Sequence, residues 1–181
     1  MAAASWVADH PDLYGGEPDG RMAIMGDSAG GNLAAVTALL ARDRGRPRLH
    51  CQILLYPPTD LTGTSPSLTE DEQAPILSYE AATTFRELYL GDADPADPRA
   101  SPLLSADHSG LPPTLIQVGD RDPLRDDARR YAKALRAPGV TVRGTVYLGA
   151  MHGFLSFPGI MPAARQAAWE IVNELRLRLH P

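Results

Sequence analysis

The sequence predicts an α/β fold of about four mostly parallel strands with flanking helices. Three observations carry this. Short apolar runs alternate with stretches of helical periodicity along most of the chain. The first run passes directly into a glycine-rich turn and then a helix, Gly26-Asp27-Ser28-Ala29-Gly30-Gly31. Chemistry-bearing residues follow the later runs, where the carboxyl ends of parallel strands gather functional groups. The 181 residues, 44% apolar and 22% charged, have the composition of one globular unit.

Each element has a local reason. Residues 5–10 read as a helix end stopped by Pro11, and the stretch from Tyr14 to Gly20 is turn-rich. Residues 22–25 are a short apolar strand. Residues 29–43 are helical, with Leu33, Val36 and Leu40 on one face and Gly45 and Pro47 at the end. A second strand, 51–56, is closed by Pro57-Pro58, and residues 57–77 read as irregular. A helix over 78–90 carries Ala81, Phe85, Leu88 and Tyr89 on one face, with Gly91 past its end. Residues 92–113, rich in Pro and Asp, form a long loop. Residues 115–118 are the third strand, 126–136 a helix through Ala128, Tyr131, Ala132 and Leu135, and 140–147 the fourth strand. A long amphipathic helix over 164–179 carries Ala168, Ile171, Val172, Leu175 and Leu179.

Composition excludes several functions. No run approaches the roughly 18 apolar residues of a membrane span. The net charge of −5 gives no attraction to nucleic acid or to an anionic membrane. Cys51 is the single cysteine, so an internal disulfide framework and a multi-cysteine zinc site are both excluded. It reads as a buried small hydrophobe. The first nine residues lack a basic segment and an apolar core, so they do not read as a signal peptide, and a cytoplasmic location is expected. The histidines show no H-x-x-x-H or H-E-x-x-H spacing, so no metal is expected.

The turn after the first strand contains G-x-S-x-G. At average usage its three fixed positions arise by chance roughly 0.06 times in such a chain. Gly26 and Gly30 remove side chains that would clash in a sharp strand-to-helix turn, and Ser28 then projects above the sheet. The following helix aims its first amides at the site, with Ala29 placed to donate to an oxyanion. After the third strand, Asp120 or Asp122 could orient a histidine, and Asp122 before Pro123 also reads as a helix N-cap. After the fourth strand, His152 sits among small residues. The order Ser28, Asp122, His152, each past the end of a successive strand, is that of an α/β-hydrolase triad. His10, His50, His108 and His180 are poorer candidates by position.

Here the sequence resembles the bacterial hormone-sensitive-lipase-like esterases of the α/β-hydrolase superfamily. The resemblance rests on Gly26 to Leu33, on Asp122-Pro123-Leu124-Arg125-Asp126 and on His152-Gly153-Phe154. Pro98 to Leu103 and Tyr14 to Pro18 also look like that family. It implies hydrolysis of short- to medium-chain acyl esters without a cofactor, with Ser28 as nucleophile, Asp122 rather than Asp120 as acid and His152 as base. It also implies a cap-like insertion over about 60–95 within one partial catalytic domain, 1–181.

The family's His-Gly-Gly-Gly type segment, which supplies most of the oxyanion hole, has no counterpart before Ser28. At about 30 residues per strand–helix unit, the chain reads as the C-terminal half of the fold. The strand 22–25 is then expected at a sheet edge, open to self-association, and the isolated chain is expected to be weak or inactive. The C-terminal portion of a prolyl-oligopeptidase-like peptidase shares the triad order; Asp27, Gly31 and the 98–103 segment favour the esterase. A non-catalytic binding module would lack a reactive serine.

Overall fold

The computed structural model describes residues 1–14 and 20–180. Most of the turn-rich stretch after Tyr14, residues 15–19, lies outside the described residues. The described chain forms one four-stranded sheet in the order β1-β2-β3-β4, with every neighbouring pair parallel. The strands are β1 (Met22–Asp27), β2 (Leu49–Leu55), β3 (Thr114–Gly119) and β4 (Val142–Tyr147). The helices are α1 (Ala2–Asp9), α2 (Ala29–Arg44), α3 (Ser67–Glu70), α4 (Tyr79–Leu90), α5 (Arg125–Arg136) and α6 (Pro162–Leu179). The predicted α/β class and strand count are those observed.

Right-handed crossovers along a monotonic strand order carry α2 and α5 over one face, where Ile116 and Val118 meet Ala128 and Ala132. Helix α6 returns across the other face, where the side-chain amide of Gln117 donates to the Ala167 carbonyl at 3.2 Å. Strands β2 and β3 are mostly apolar because both faces are covered, interrupted by the buried Gln52 and Gln117. Ile53, Leu54 and Leu115 have no exposed surface, and Cys51 is equally enclosed. Burial pushes the Cys51 thiol up to about 11, so it is a packed hydrophobe, as expected from the sequence.

Strand β1 is an edge of this sheet, as expected, and Met25 on it is 54% exposed. It runs two residues further than the apolar run suggested, to Asp27, and so delivers the chain directly to Ser28.

Several expectations are corrected. Leu33 is exposed, and α2 buries the small residues Ala34, Ala35 and Ala38 with Leu39. In α6 the inward stripe is Ala164, Ala167, Ile171 and Glu174, so Ala168 and Val172 face outward. That helix carries apolar residues on several sides, including Trp169 and Leu177, so periodicity alone did not fix its rotation. Helix α4 ends at Gly91 as expected, and at its start the Ser78 hydroxyl accepts from the Ala81 amide at 3.2 Å. Its apolar face is not buried: Phe85, Leu88 and Tyr89 are exposed, and only Ala81 and Ala82 pack, against Leu68, Leu77 and Leu124. The irregular stretch 57–77 contains the single turn α3.

Candidate active site

The site begins at the end of β1. Ser28 is held at φ 49°, ψ −120°, a region that L-residues occupy only when the surroundings impose it. Two contacts impose it here. The Ser28 amide donates to the Leu55 carbonyl at 2.8 Å, and a side chain on Gly26 would collide with the Gly30 carbonyl. Gly31 is also confined, with Pro57 and the carbonyls of Gly26 and Leu55 about its missing Cβ. Gly30 is different from the expectation: the space beside it is nearly open, and its own carbonyl is what excludes a side chain at Gly26. Helix α2 starts at Ala29, so the first amides of the helix have no intrahelical acceptor and face the serine.

Asp122 and His152 arrive from the ends of β3 and β4. The Ser28 Oγ lies 2.9 Å from His152 Nε2. On the other side of the ring, Nδ1 lies 3.0 Å from both carboxylate oxygens of Asp122. Both partners are enclosed, Asp122 being 2% exposed and His152 5%. The carboxylate is fixed in turn by the Leu124 amide, which donates to Oδ1 at 2.8 Å. Asp122 is therefore not the expected N-cap. Helix α5 starts at Arg125 with Leu124 in the cap position, and Asp122 instead closes a turn two residues long before it.

Asp120, the alternative left open by spacing, does not touch the ring. Its carboxylate accepts from the Gly149 amide at 2.7 Å, while the Asp120 amide donates to the Tyr147 carbonyl at 3.0 Å and the Arg121 amide to the Ala150 carbonyl at 3.1 Å. These bonds clasp the two loops that carry Asp122 and His152.

Sequence reasoning missed Tyr56. It has a positive φ of 38° at the end of β2, and its ring meets His152 edge-on at 4.9 Å between centroids. The Tyr56 amide donates to the Gln117 carbonyl at 2.6 Å. Burial, then the nearby charges of Asp27 and Asp122, push its phenol up. Phe154 packs against both Tyr56 and Tyr147, completing an aromatic floor behind the histidine. A β-rich apolar run that ends in Tyr-Pro-Pro gave no sign of this role.

The sequence also missed a buried polar cluster that seats the loop after β2. Asp127 is 1% exposed and accepts from the amides of Thr59 at 2.8 Å and Asp60 at 2.9 Å, and from the Ser65 hydroxyl. Burial pushes its carboxyl up to about 6, against the downward pull of those donors. Asn32 on α2 donates to the carbonyls of Pro58 at 2.8 Å and Ala100 at 2.7 Å, which ties the 98–103 segment beside the elbow.

Three of the remaining histidines make structural hydrogen bonds. His50 Nδ1 accepts from the Met22 amide at 3.2 Å. His10 bonds the Trp6 carbonyl, and His108, expected in a polar loop, is buried with Nε2 2.9 Å from the Pro102 carbonyl. Among the described residues no three His, Cys, Asp or Glu side chains gather as a metal site, and no helix is long and apolar enough to cross a membrane.

A serine in a strained strand-to-helix turn, with a histidine against it and a buried carboxylate behind the histidine, is an arrangement of an α/β fold in which nucleophilic acyl transfer is chemically possible. Comparison with known proteins places the chain more narrowly. Residues 1–156 match the family model described as the alpha/beta hydrolase fold, and the chain belongs to that family. It is 41% identical over 183 residues to carboxylesterase NlhH of Mycobacterium tuberculosis, covering 99% of this chain and 57% of that protein. It is 44% identical over 186 residues to the carboxylic ester hydrolase LipN of the same organism, covering 98% and 49%. Among solved structures, the thermostable carboxylesterase EstE1 from a metagenomic library superposes with a TM-score of 0.93 at 40% identity, over 99% of this chain and 62% of that one. The esterase of the archaeon Pyrobaculum calidifontis gives 0.90 at 40% identity, over 96% and 58%. The chain thus spans about half to three-fifths of the length of these relatives.

Proposed function

We propose that this chain carries the nucleophile, acid and base of a serine carboxylesterase acting on short- to medium-chain acyl esters. The observation that carries the reading is the 2.9 Å approach of Ser28 Oγ to His152 Nε2 in a ring already held by Asp122. Ser28 Oγ attacks the ester carbonyl carbon as its proton passes to His152 Nε2. Asp122 fixes the Nδ1–H tautomer and offsets the imidazolium charge. The carbonyl oxygen becomes an oxyanion that accepts from the Ala29 amide. Collapse breaks the bond to the alcohol oxygen, which takes the proton from His152 and leaves. Water, deprotonated by the same histidine, then cleaves the acyl-Ser28 ester and restores the serine. None of these steps requires a metal or a redox partner.

The names of the relatives support ester hydrolysis as the reaction. On this reading residues 1–181 act as one partial catalytic domain, with about 60–95 as a cap-like insertion that includes α4. The Ala29 amide is the one oxyanion donor this reading assigns among the described residues, and a hole short of a donor loses roughly 10²–10³ in rate. The isolated chain is therefore expected to be slow, and its open β1 edge to favour self-association. We propose a cytoplasmic location for the enzyme, which cell fractionation tests.

The test is a fluorophosphonate probe. It should label wild-type chain and not Ser28→Ala. Labelling that survives in Ser28→Ala overturns the nucleophile, and no labelling of a folded wild-type chain favours a non-catalytic module.

A further inference from the structure

Among the described residues three that are not glycine hold a positive φ: Ser28, Tyr56 and Ile76. The first is the proposed nucleophile and the second packs on the proposed base. The third, at φ 72°, is β-branched, the kind of side chain least suited to that conformation. Glycine would hold the same turn without strain, so an isoleucine there asks for an explanation.

The backbone around Ile76 is fixed from both sides. Ala74 and Leu77 are buried, Leu77 against Leu68 and Leu124. The Ala74 amide donates to the Asp71 carbonyl and the Tyr79 amide to the Glu72 carbonyl, each at 3.1 Å. Between these anchors the Ile76 side chain is turned outward and is 61% exposed. Its neighbour is the histidine loop: Ile76 Cγ2 lies 3.6 Å from the position a Cβ on Gly153 would take, one residue after His152.

Resting on the triad reading above, we propose that Ile76 is a specificity-determining residue that meets the alcohol half of the ester. The leaving alcohol oxygen must take its proton from His152 Nε2. The alcohol moiety therefore lies on the His152 side of the bound ester, and Ile76 is a rigid, branched, apolar wall at that side. It favours slim primary alcohols over bulky ones and leaves the acyl chain to other surfaces.

Acetate release from n-butyl and cyclohexyl acetate by the full chain tests this, in wild type, Ile76→Ala, Ile76→Val and Ile76→Gly. The cyclohexyl-to-butyl ratio of kcat/KM should rise about tenfold in Ile76→Ala, a normal size for opening a pocket by a few carbons. Ile76→Val should fall between, and Ile76→Gly, which removes the strain as well as the wall, should behave at least like Ile76→Ala. The ratio for p-nitrophenyl octanoate over acetate should stay where it is in wild type. An unchanged alcohol ratio in variants whose Ser28 still labels overturns the inference. So does a change in acyl preference instead of alcohol preference. If wild-type Ser28 neither labels nor turns over any ester, the triad reading fails and takes this inference with it.

Discussion

The carbonyl of Gly30 fills the space that a side chain on Gly26 would need. The strand-to-helix turn is thus closed by backbone, which cannot rotate away as a side chain can. Gly26→Ala is expected to lower stability by about 1–3 kcal/mol, as overpacking does, and to displace Ser28 from His152. Gly30→Ala meets only the Asp27 carboxylate at 4.0 Å and sits in a helix, so its stability should stay within about 1 kcal/mol of the parent. Urea unfolding of the two variants separates them, and equal losses would show that the crowding at Gly26 is not what shapes the turn.

Ser28 holds its conformation at a cost. Relief of strain of this kind is worth on the order of 1–3 kcal/mol. Ser28→Gly should therefore unfold at higher urea than Ser28→Ala, although neither labels with a fluorophosphonate. Identical midpoints for the two variants would argue that φ 49° at this position carries no strain.

Asp122→Asn keeps the size of the side chain and removes the charge that orients His152. Because an amide opposite Nδ1 favours the wrong tautomer, the labelling rate of Ser28 should drop toward the ~10⁴-fold loss known for such substitutions. Stability should change far less, since the Leu124 amide can still donate to the side-chain oxygen. A labelling rate within tenfold of the parent would return the role of acid to another carboxylate.

Asp120 is the natural suspect in that case, and its geometry gives a different expectation. It holds the Gly149 amide at 2.7 Å and so acts on the histidine only through the loop. Asp120→Asn retains an acceptor and should label nearly as fast as the parent. Asp120→Ala releases the Gly149 turn and should slow labelling and broaden the His152 imidazole signals in NMR. Loss of labelling in both variants alike would mean that the charge, not the clasp, matters.

These contrasts also mark how far the sequence could be read. Ser28, Asp122 and His152 were visible because each follows a strand of regular pattern, and parallel strands end on one side of a sheet. Asp120 and Asp122 could not be separated by spacing alone, since both follow β3 by a few residues; the resemblance to known esterases favoured Asp122, whose carboxylate faces His152 Nδ1, while that of Asp120 accepts from the Gly149 amide. The rotation of α6 was lost for a related reason: Trp169, Val172 and Leu177 blur its apolar stripe. Tyr56 and Ile76 were invisible because a positive φ in a large residue is imposed by packing and leaves no compositional trace. The cluster around Asp127 joins residues more than 60 positions apart through a stretch without periodicity, so nothing local announced it.

That cluster gives the last prediction. Burial raises the Asp127 carboxyl from 3.8 unfolded to about 6 folded. The folded state thus binds the proton more tightly than the unfolded chain, so this group stabilises the fold most below about pH 4 and loses that contribution as pH rises through 6. A shift of this size corresponds to about 3 kcal/mol across the window. Asp127→Asn has no charge to bury and can still accept from the Thr59 and Asp60 amides. Its stability relative to the parent should therefore improve steadily between pH 4 and 7. A carboxylate held below its usual range away from this cluster, such as Glu170, pulls the other way but acts equally in both proteins. Urea midpoints of the pair, taken across that range, read the difference directly. A difference that stays flat, or that shrinks as pH rises, would place the Asp127 proton on the wrong side of folding.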